Sequence, residues 1–140
     1  MTFSFRPDNG LTRQFIHMKQ LKLKRVYDDI ETSDGVRILV DRLWPRGITR
    51  EQARIDYWVK QVSPSSELRK WYNHDIDKWK TFRSRYFDEL SKQRDSLILL
   101  RKLIEAHDVT LLYSARMESH NNAVALVDYL LTESNAHEQG

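Results

Sequence analysis

The sequence contains no cysteine, which excludes disulfide bonds, a thiolate nucleophile and cysteine-bound metal. Glycine and proline are scarce, with four and three residues among 140, and the composition is otherwise ordinary for a soluble globular domain. No apolar run approaches the length of a membrane-spanning helix. The amino terminus also lacks the apolar core of a signal peptide. We therefore expect a cytoplasmic protein that has no membrane partner.

The positive net charge is concentrated near the amino terminus. The chain has 23 basic and 20 acidic side chains, which give a net charge of +3. Six of the basic and one of the acidic side chains lie in residues 1–25, which leaves 17 basic and 19 acidic for the rest. Because a nucleic-acid-binding domain usually carries a basic face on its folded body, this distribution disfavours nucleic acid as a partner without excluding a local basic patch.

Two apolar segments predict buried strands. Residues 36–40 form a short β-branched run, and residues 109–113 form a second one. A weaker alternation from Leu21 to Val26 predicts a further strand before them. A helical pattern follows each of the two apolar strands. This order predicts an α/β fold, a single compact domain with a small, mostly parallel sheet flanked by several helices.

Capping side chains predict where the helices begin. Thr49 with Gln52 three residues later forms a capping box, and a short helix should follow it. Further helices are expected to begin at Ser63 followed by Pro64, at Asp95 or Ser96, and at Ser119. Residues 56–62 fit either a strand or an irregular segment.

The first 17 residues differ from the rest of the chain. They have no sustained apolar periodicity and contain Pro7, Asn9 and Gly10, which interrupt regular structure. We expect residues 1–17 to be a flexible extension and residues 18–140 to form the single domain. Met18 is an alternative start, because organised sequence begins just after it.

Four specific motifs carry a resemblance to a known family. They are RVYD at residues 25–28, VDRLWPRG at 40–47, SPSSELRKWYNHDIDKW at 63–79, and LLYSAR at 111–116 followed by HNNA at 120–123. At this separation they resemble the YeaO-like family (DUF 488), a bacterial and archaeal domain of unknown function. The resemblance covers about residues 25–131. It implies a compact α/β domain, and it implies no particular reaction.

The same motifs lie where the two apolar strands end. Ligands of open α/β sheets bind beyond the carboxyl ends of the strands, and arginine binds phosphate or carboxylate through paired hydrogen bonds. If the two strands are parallel neighbours, their loops and the free amides of the Ser119 helix form a cleft for a small phosphorylated or carboxylated molecule. The predicted ligand-binding residues are Arg42, Trp44, Arg46, Tyr113, Ser114, Arg116, Asn121 and Asn122.

The sequence leaves open whether this site is catalytic. His74 and Asp75 are the catalytic candidates, with Asp41 and His120 as further acid–base groups. The chain has no glycine-rich phosphate loop, dinucleotide fingerprint or Gly-x-Ser-x-Gly motif, and its histidines lack metal-ligand spacing. We therefore expect no cofactor and no metal. If a reaction occurs, hydrolysis or transfer on an anionic substrate fits best.

Each candidate also has a structural interpretation. Trp44 would seal an edge of the core, and the arginines would form surface ion pairs, Arg116 with Glu118 or Asp41. Asn121 and Asn122 would cap their own helix.

Two functions without catalysis are further alternatives. One is nucleic-acid binding through the basic amino-terminal segment, with Trp44 or Trp71 stacking on a base. The other is a protein-interaction module whose exposed aromatic side chains form a dimer. The sequence does not determine the oligomeric state.

Overall fold

A five-stranded sheet forms the centre of the fold in the computed structural model, which describes residues 2–4 and 19–139, with side chains for 19–132. Its strands are β1 (Thr2–Ser4), β2 (Gln20–Arg25), β3 (Val36–Leu39), β4 (Tyr57–Trp58) and β5 (Val109–Tyr113). The spatial order is β1-β2-β5-β3-β4. The last four strands in this order pair in parallel, and β1 pairs antiparallel with β2. The predicted α/β fold with a mostly parallel sheet is therefore confirmed.

The amino-terminal segment enters the described structure only through β1. Its three residues pair with β2, with Phe3 opposite Leu21. The predicted flexibility of the extension concerns residues that lie largely outside the described part of the chain. The next strand, β3, begins at Val36 as predicted. Residues 56–62 combine both expected forms, since β4 is followed by a 3-10 turn at Lys60–Val62.

In the described part of the chain, five α-helices connect and flank the strands. They are α1 (Arg50–Ala53), α2 (Ser66–Tyr72), α3 (Trp79–Leu90), α4 (Arg94–Ala106) and α5 (Asn122–Gln139). Two more 3-10 turns, Thr32–Asp34 and Ile76–Lys78, precede β3 and α3. Within the described ranges, no helix has the combined length and apolar character needed to span a membrane.

Successive side chains of β3 and β5 point to opposite faces of the sheet, and this divides the core into two clusters. Ile38 and Leu111 belong to the larger cluster, which includes the inward residues of α2, α3, α4 and α5. Their neighbours Leu39 and Leu112 belong to a smaller cluster on the opposite face, closed by Trp44 and other side chains of the segment between β3 and β4. Because successive side chains of a strand point to opposite faces, the longer helices cover one face and this short segment covers the other.

The capping box at the first helix is confirmed. Thr49 Oγ1 accepts a hydrogen bond from the Gln52 amide at 3.1 Å, and Gln52 Oε1 accepts one from the Thr49 amide at 2.9 Å. The start predicted for α2 is wrong, since the N-cap is Ser65, whose hydroxyl oxygen accepts from the Leu68 amide at 3.1 Å. Ser63 instead donates its hydroxyl to the Lys60 carbonyl and closes the preceding turn.

The starts predicted for the last two helices are also wrong. Helix α4 begins at Arg94, with Gln93 as an N-cap that makes no side-chain bond, so Asp95 and Ser96 lie inside its first turn. Helix α5 is capped by Asn121, whose Oδ1 accepts from the Val124 amide at 3.0 Å. Ser119 Oγ is hydrogen-bonded to Nδ1 of the adjacent His120, at 2.6 Å, and is therefore engaged outside the helix.

Buried ion pairs anchor the turn that leads into β3. Asp34 is 1% exposed and binds Arg37 Nη1 at 2.6 Å and Lys24 Nζ at 3.0 Å. Arg37 also donates from Nε and Nη2 to the Ala53 carbonyl, which ties β3 to the end of α1. This network fixes where β3 starts, and thus where its carboxyl end meets the other strands.

Candidate functional site

A cleft of about 600 Å³ opens at the carboxyl-terminal edge of the sheet. It is lined by Arg25 at the end of β2, by residues 41–46 after β3 and by residues 114–116 after β5. Because β5 lies between β2 and β3 and is parallel to both, the three strand exits are adjacent. The volume lies in the range of small-molecule binding sites in proteins.

Most of the predicted site residues share this cleft. Eight of them line it: Arg42, Trp44, Arg46, His74, Ser114, Arg116, Asn121 and Asn122. The other two lie elsewhere. Tyr113 is 2% exposed within the main core, and Asp75 Oδ1 accepts from the Asp77 amide at 3.0 Å at the start of the Ile76–Lys78 turn. Ligand binding by the eight stays a prediction, and the two others are left out of the proposed site.

Asp41 joins the loops that follow β3 and β5. Its Oδ2 accepts hydrogen bonds from the amide and the hydroxyl of Ser114, at 2.9 and 2.7 Å. Its Oδ1 accepts one from Asn122 Nδ2 at 3.1 Å, and the same nitrogen donates to the Val40 carbonyl. Both carboxylate oxygens are therefore engaged within the protein, and Asn122 serves this junction while Asn121 caps α5.

The environment of Asp41 shifts its acidity. Burial raises the pKa of this carboxyl above its ordinary value. The hydrogen bonds from Ser114 and Asn122 and the positive charge of Arg69 act in the opposite direction, but burial has the larger effect. The donors therefore offset only part of the cost of desolvating this carboxylate.

Two arginines are held in place by backbone carbonyls. Arg25 donates from Nε to the Ala115 carbonyl at 3.0 Å and from Nη2 to the Ser114 carbonyl at 2.9 Å. Arg42 donates from Nε to the Pro64 carbonyl at 3.1 Å and from Nη2 to the Ser63 carbonyl at 3.3 Å. Neither guanidinium forms an ion pair within residues 19–132. Their remaining N–H groups are available to an anion.

Four more cationic side chains line the cleft and are exposed: Arg46, Arg69, Lys70 and Arg116. Among the residues with described side chains, none of them forms an ion pair with a carboxylate. The pairing of Arg116 with Glu118 or Asp41, considered from the sequence, is therefore not found there. Six cationic side chains and one carboxylate, Asp41, line the described part of the cleft.

The carboxyl end of α2 shapes one wall. Asn73 and His74 have positive φ values, of 46° and 57°, where the helix ends, and both line the cleft. Tyr72 donates its hydroxyl to the His120 carbonyl at 2.8 Å and stacks on Phe82 with ring centroids 4.3 Å apart. This wall is therefore attached to α3 and to the loop before α5.

Trp44 combines a structural role with its position in the cleft. Its Nε1 donates to the Ile48 carbonyl at 2.7 Å, and its ring meets that of Trp58 edge-on with centroids 5.4 Å apart. Trp58 in turn donates to the Asp41 carbonyl at 2.7 Å. The interpretation that Trp44 seals an edge of the core is confirmed, and the same side chain also lines the cleft.

Several cleft residues were not predicted from the sequence. Arg25 and Tyr27 belong to the RVYD motif, and Arg25 is the last residue of β2. The rule that ligands bind beyond the carboxyl ends of the strands, applied to β2 as well, would have identified both residues. Arg69 and Lys70 come from α2, and no local pattern in the sequence indicates that this helix faces the cleft.

Comparison with known proteins assigns the family. Residues 20–140 match the model of a family described as the inactive DUF488-N3 subclade. The chain belongs to this family. The matched range of the DUF488-N3 subclade begins at β2 and includes every cleft residue named above. The resemblance to YeaO-like proteins is therefore confirmed.

Individual relatives support the same assignment. The chain is 44% identical over 110 residues to the uncharacterized protein YeaO of Escherichia coli, an alignment that covers 79% of this chain and 96% of YeaO. It is 40% identical over 111 residues to an uncharacterized protein of Mycobacterium tuberculosis, covering 79% of this chain and 93% of that protein. No solved structure matches the chain.

Proposed function

We propose that the cleft binds a small phosphorylated or carboxylated molecule without converting it. The observation that carries this proposal is the imbalance of charge in the cleft, where six cationic side chains face one carboxylate whose oxygens already have donors. Like charges gathered at a concave surface repel one another and attract an anion from solution. An anion that binds there relieves this repulsion.

The arrangement of the arginines suits an anion. Arg25 and Arg42 are already oriented by backbone carbonyls, so a ligand loses little affinity to ordering them. Arg46, Arg69 and Arg116 are exposed and can adjust to the ligand. Guanidinium groups bind phosphate and carboxylate oxygens through short, charge-assisted hydrogen bonds.

The contacts around Ser114 argue against a hydrolase or transferase reaction. Its hydroxyl donates to Asp41 at 2.7 Å, and no described histidine is hydrogen-bonded to it. His74, the catalytic candidate, forms no hydrogen bond through its ring with any described side chain or carbonyl. The description of the family as an inactive subclade supports binding without turnover.

Nucleic-acid binding is the less supported alternative. The basic amino-terminal segment lies mostly outside the described residues. Trp71, one of the two side chains considered for stacking on a base, is partly buried and packs against the main core. No observation on the described surface favours this alternative over the cleft.

Thermal unfolding with added anions tests the proposal. A ligand that binds only the native state raises the unfolding midpoint. The panel contains inorganic phosphate, sugar phosphates, nucleotides and small carboxylates, and the variants are Arg46→Gln and Arg116→Gln. Arg94→Gln is the matched control, because Arg94 is exposed and does not line the cleft.

We expect at least one anion to stabilise the wild type and the control, and to stabilise both cleft variants less. Equal stabilisation of all four proteins, or of none, would contradict the proposal. Release of a product during incubation with the stabilising anion would contradict the absence of turnover and leave the binding site in place.

A further inference from the structure

Tyr27 is an exposed aromatic side chain whose position in the cleft is fixed. It is 41% exposed, and its hydroxyl donates to the Arg46 carbonyl at 2.7 Å. The turn that carries it is closed twice, by the Asp28 amide donating to the Arg25 carbonyl at 3.0 Å and by the Arg25 amide donating to Asp28 Oδ2 at 2.9 Å. Val26 beside it is buried, so the ring is presented from a rigid turn.

A cation also lies against this ring. The guanidinium carbon of Arg25 is 5.0 Å from the ring centroid of Tyr27, and two carbonyls of the loop after β5 hold that guanidinium. Tyr27 therefore forms part of an ordered cation–aromatic pair rather than a mobile surface side chain. A planar group that stacks on such a ring loses little affinity to ordering it.

The cationic groups are spread along the sheet edge. Arg25 ends β2 and Arg42 follows β3, with β5 between these strands. Since neighbouring strands lie about 4.8 Å apart, the two strand exits are about 10 Å apart. Their guanidinium groups are also held by different elements, Arg25 by the loop after β5 and Arg42 by the segment before α2. The cleft thus fits an elongated ligand with different groups at its two ends.

The two ends of the cleft differ chemically. The end over β2 presents the Tyr27 ring, and Leu43, which is 59% exposed, adds apolar surface to the lining. The side over β3 and α2 presents Arg42 and Arg69. A fixed aromatic ring in a cationic cleft suits a ligand that has a planar apolar part as well as an anionic part.

We propose, resting on the anion-binding function above, that the ligand is an aromatic phosphate of nucleotide size. Its phosphate binds at Arg42 and Arg69, and its planar ring stacks on Tyr27. The RVYD motif then has a defined role, because each of its residues holds or forms the stacking platform.

Binding calorimetry with three probes tests this inference. The probes are adenosine 5′-monophosphate, ribose 5-phosphate and adenosine, measured on the wild type, Tyr27→Leu and Tyr27→Phe. Tyr57→Leu is the matched control, because Tyr57 is also 41% exposed and does not line the cleft. Stacking of a base on an aromatic side chain is worth about a tenfold gain in affinity or more.

We expect the wild type and Tyr57→Leu to bind the nucleotide about tenfold more tightly than ribose 5-phosphate. Tyr27→Phe should keep this preference because it keeps the ring. Tyr27→Leu should lose this preference for the nucleotide but keep its affinity for ribose 5-phosphate. The retained affinity also shows that the variant is folded.

Other outcomes separate the two proposals. Equal affinity of the wild type for the nucleotide and ribose 5-phosphate overturns the aromatic ligand and leaves anion binding intact. Adenosine binding as tightly as its monophosphate, or no binding of any phosphate, overturns both.

Discussion

Replacing Gly35 with alanine should destabilise the protein by about 4 kcal/mol. Gly35 has φ of +63°, and an added Cβ would lie 2.1 Å from the Asp108 carbonyl oxygen. That oxygen accepts the Val36 amide at 2.8 Å where β3 meets β5. Its backbone, with φ of 63° and ψ of −133°, lies in a region that is essentially restricted to glycine and costs other residues roughly 1–3 kcal/mol. The displaced hydrogen bond costs about 1 kcal/mol and the shift of packed strands about 1–3 kcal/mol.

Urea unfolding monitored by tryptophan fluorescence measures this loss, and Gly47→Ala is the matched control. Gly47 also has a positive φ, of +76°, but an added Cβ there has no atom within 4 Å. Its substitution should cost only about 1 kcal/mol, since the backbone penalty is partly offset by a less flexible unfolded chain. Equal destabilisation by the two substitutions would refute the reasoning, because the close approach to Asp108 would then have no effect.

Two carboxyl groups should give opposite dependences of stability on pH, measured by urea unfolding across an acidic pH series. Burial alone would raise the pKa of Asp34, but hydrogen bonds from the Glu31 amide, Lys24 and Arg37 lower it. Asp34→Asn should lower the free energy of unfolding by about 3–5 kcal/mol at neutral pH, because Arg37 stays buried without its counter-charge. This difference from the wild type should shrink as the pH falls below the ordinary carboxyl pKa. Burial raises the pKa of Asp41 in the folded protein, so the wild type should lose stability relative to Asp41→Asn as the pH rises through that raised value. Parallel curves for the wild type and either variant would contradict the corresponding prediction.

The fold was predictable because its main signals are local. The two apolar runs at residues 36–40 and 109–113 specify buried strands by themselves, and the pair Thr49 and Gln52 caps a helix without help from the rest of the chain. The other helix starts depend on competing partners. Ser63 bonds to a carbonyl of the preceding turn, and Ser119 bonds to the ring of the next residue. The sequence does not show these competing partners, so it could not identify which residue caps the following helix.

The candidate site was predictable to the extent that it follows from strand order. Arg42 and Arg116 share a cleft because β3 and β5 are parallel neighbours, as the rule of strand ends requires. Arg25 joins them because β2 is the other neighbour of β5, which the weak pattern of that strand did not reveal. Arg69 reaches the cleft through the packing of α2, and that packing depends on the whole core.

The most direct test of the anion-binding cleft is a nuclear magnetic resonance titration that follows the Nε–H signals of the arginine side chains as ribose 5-phosphate is added. We predict that the signals of Arg42 and Arg69 shift together with one midpoint, while that of Arg94, which lies outside the cleft, stays in place. Shifts of equal size at all arginines, or none at the cleft arginines at saturating phosphate, would contradict the presence of an anion site between the strand exits.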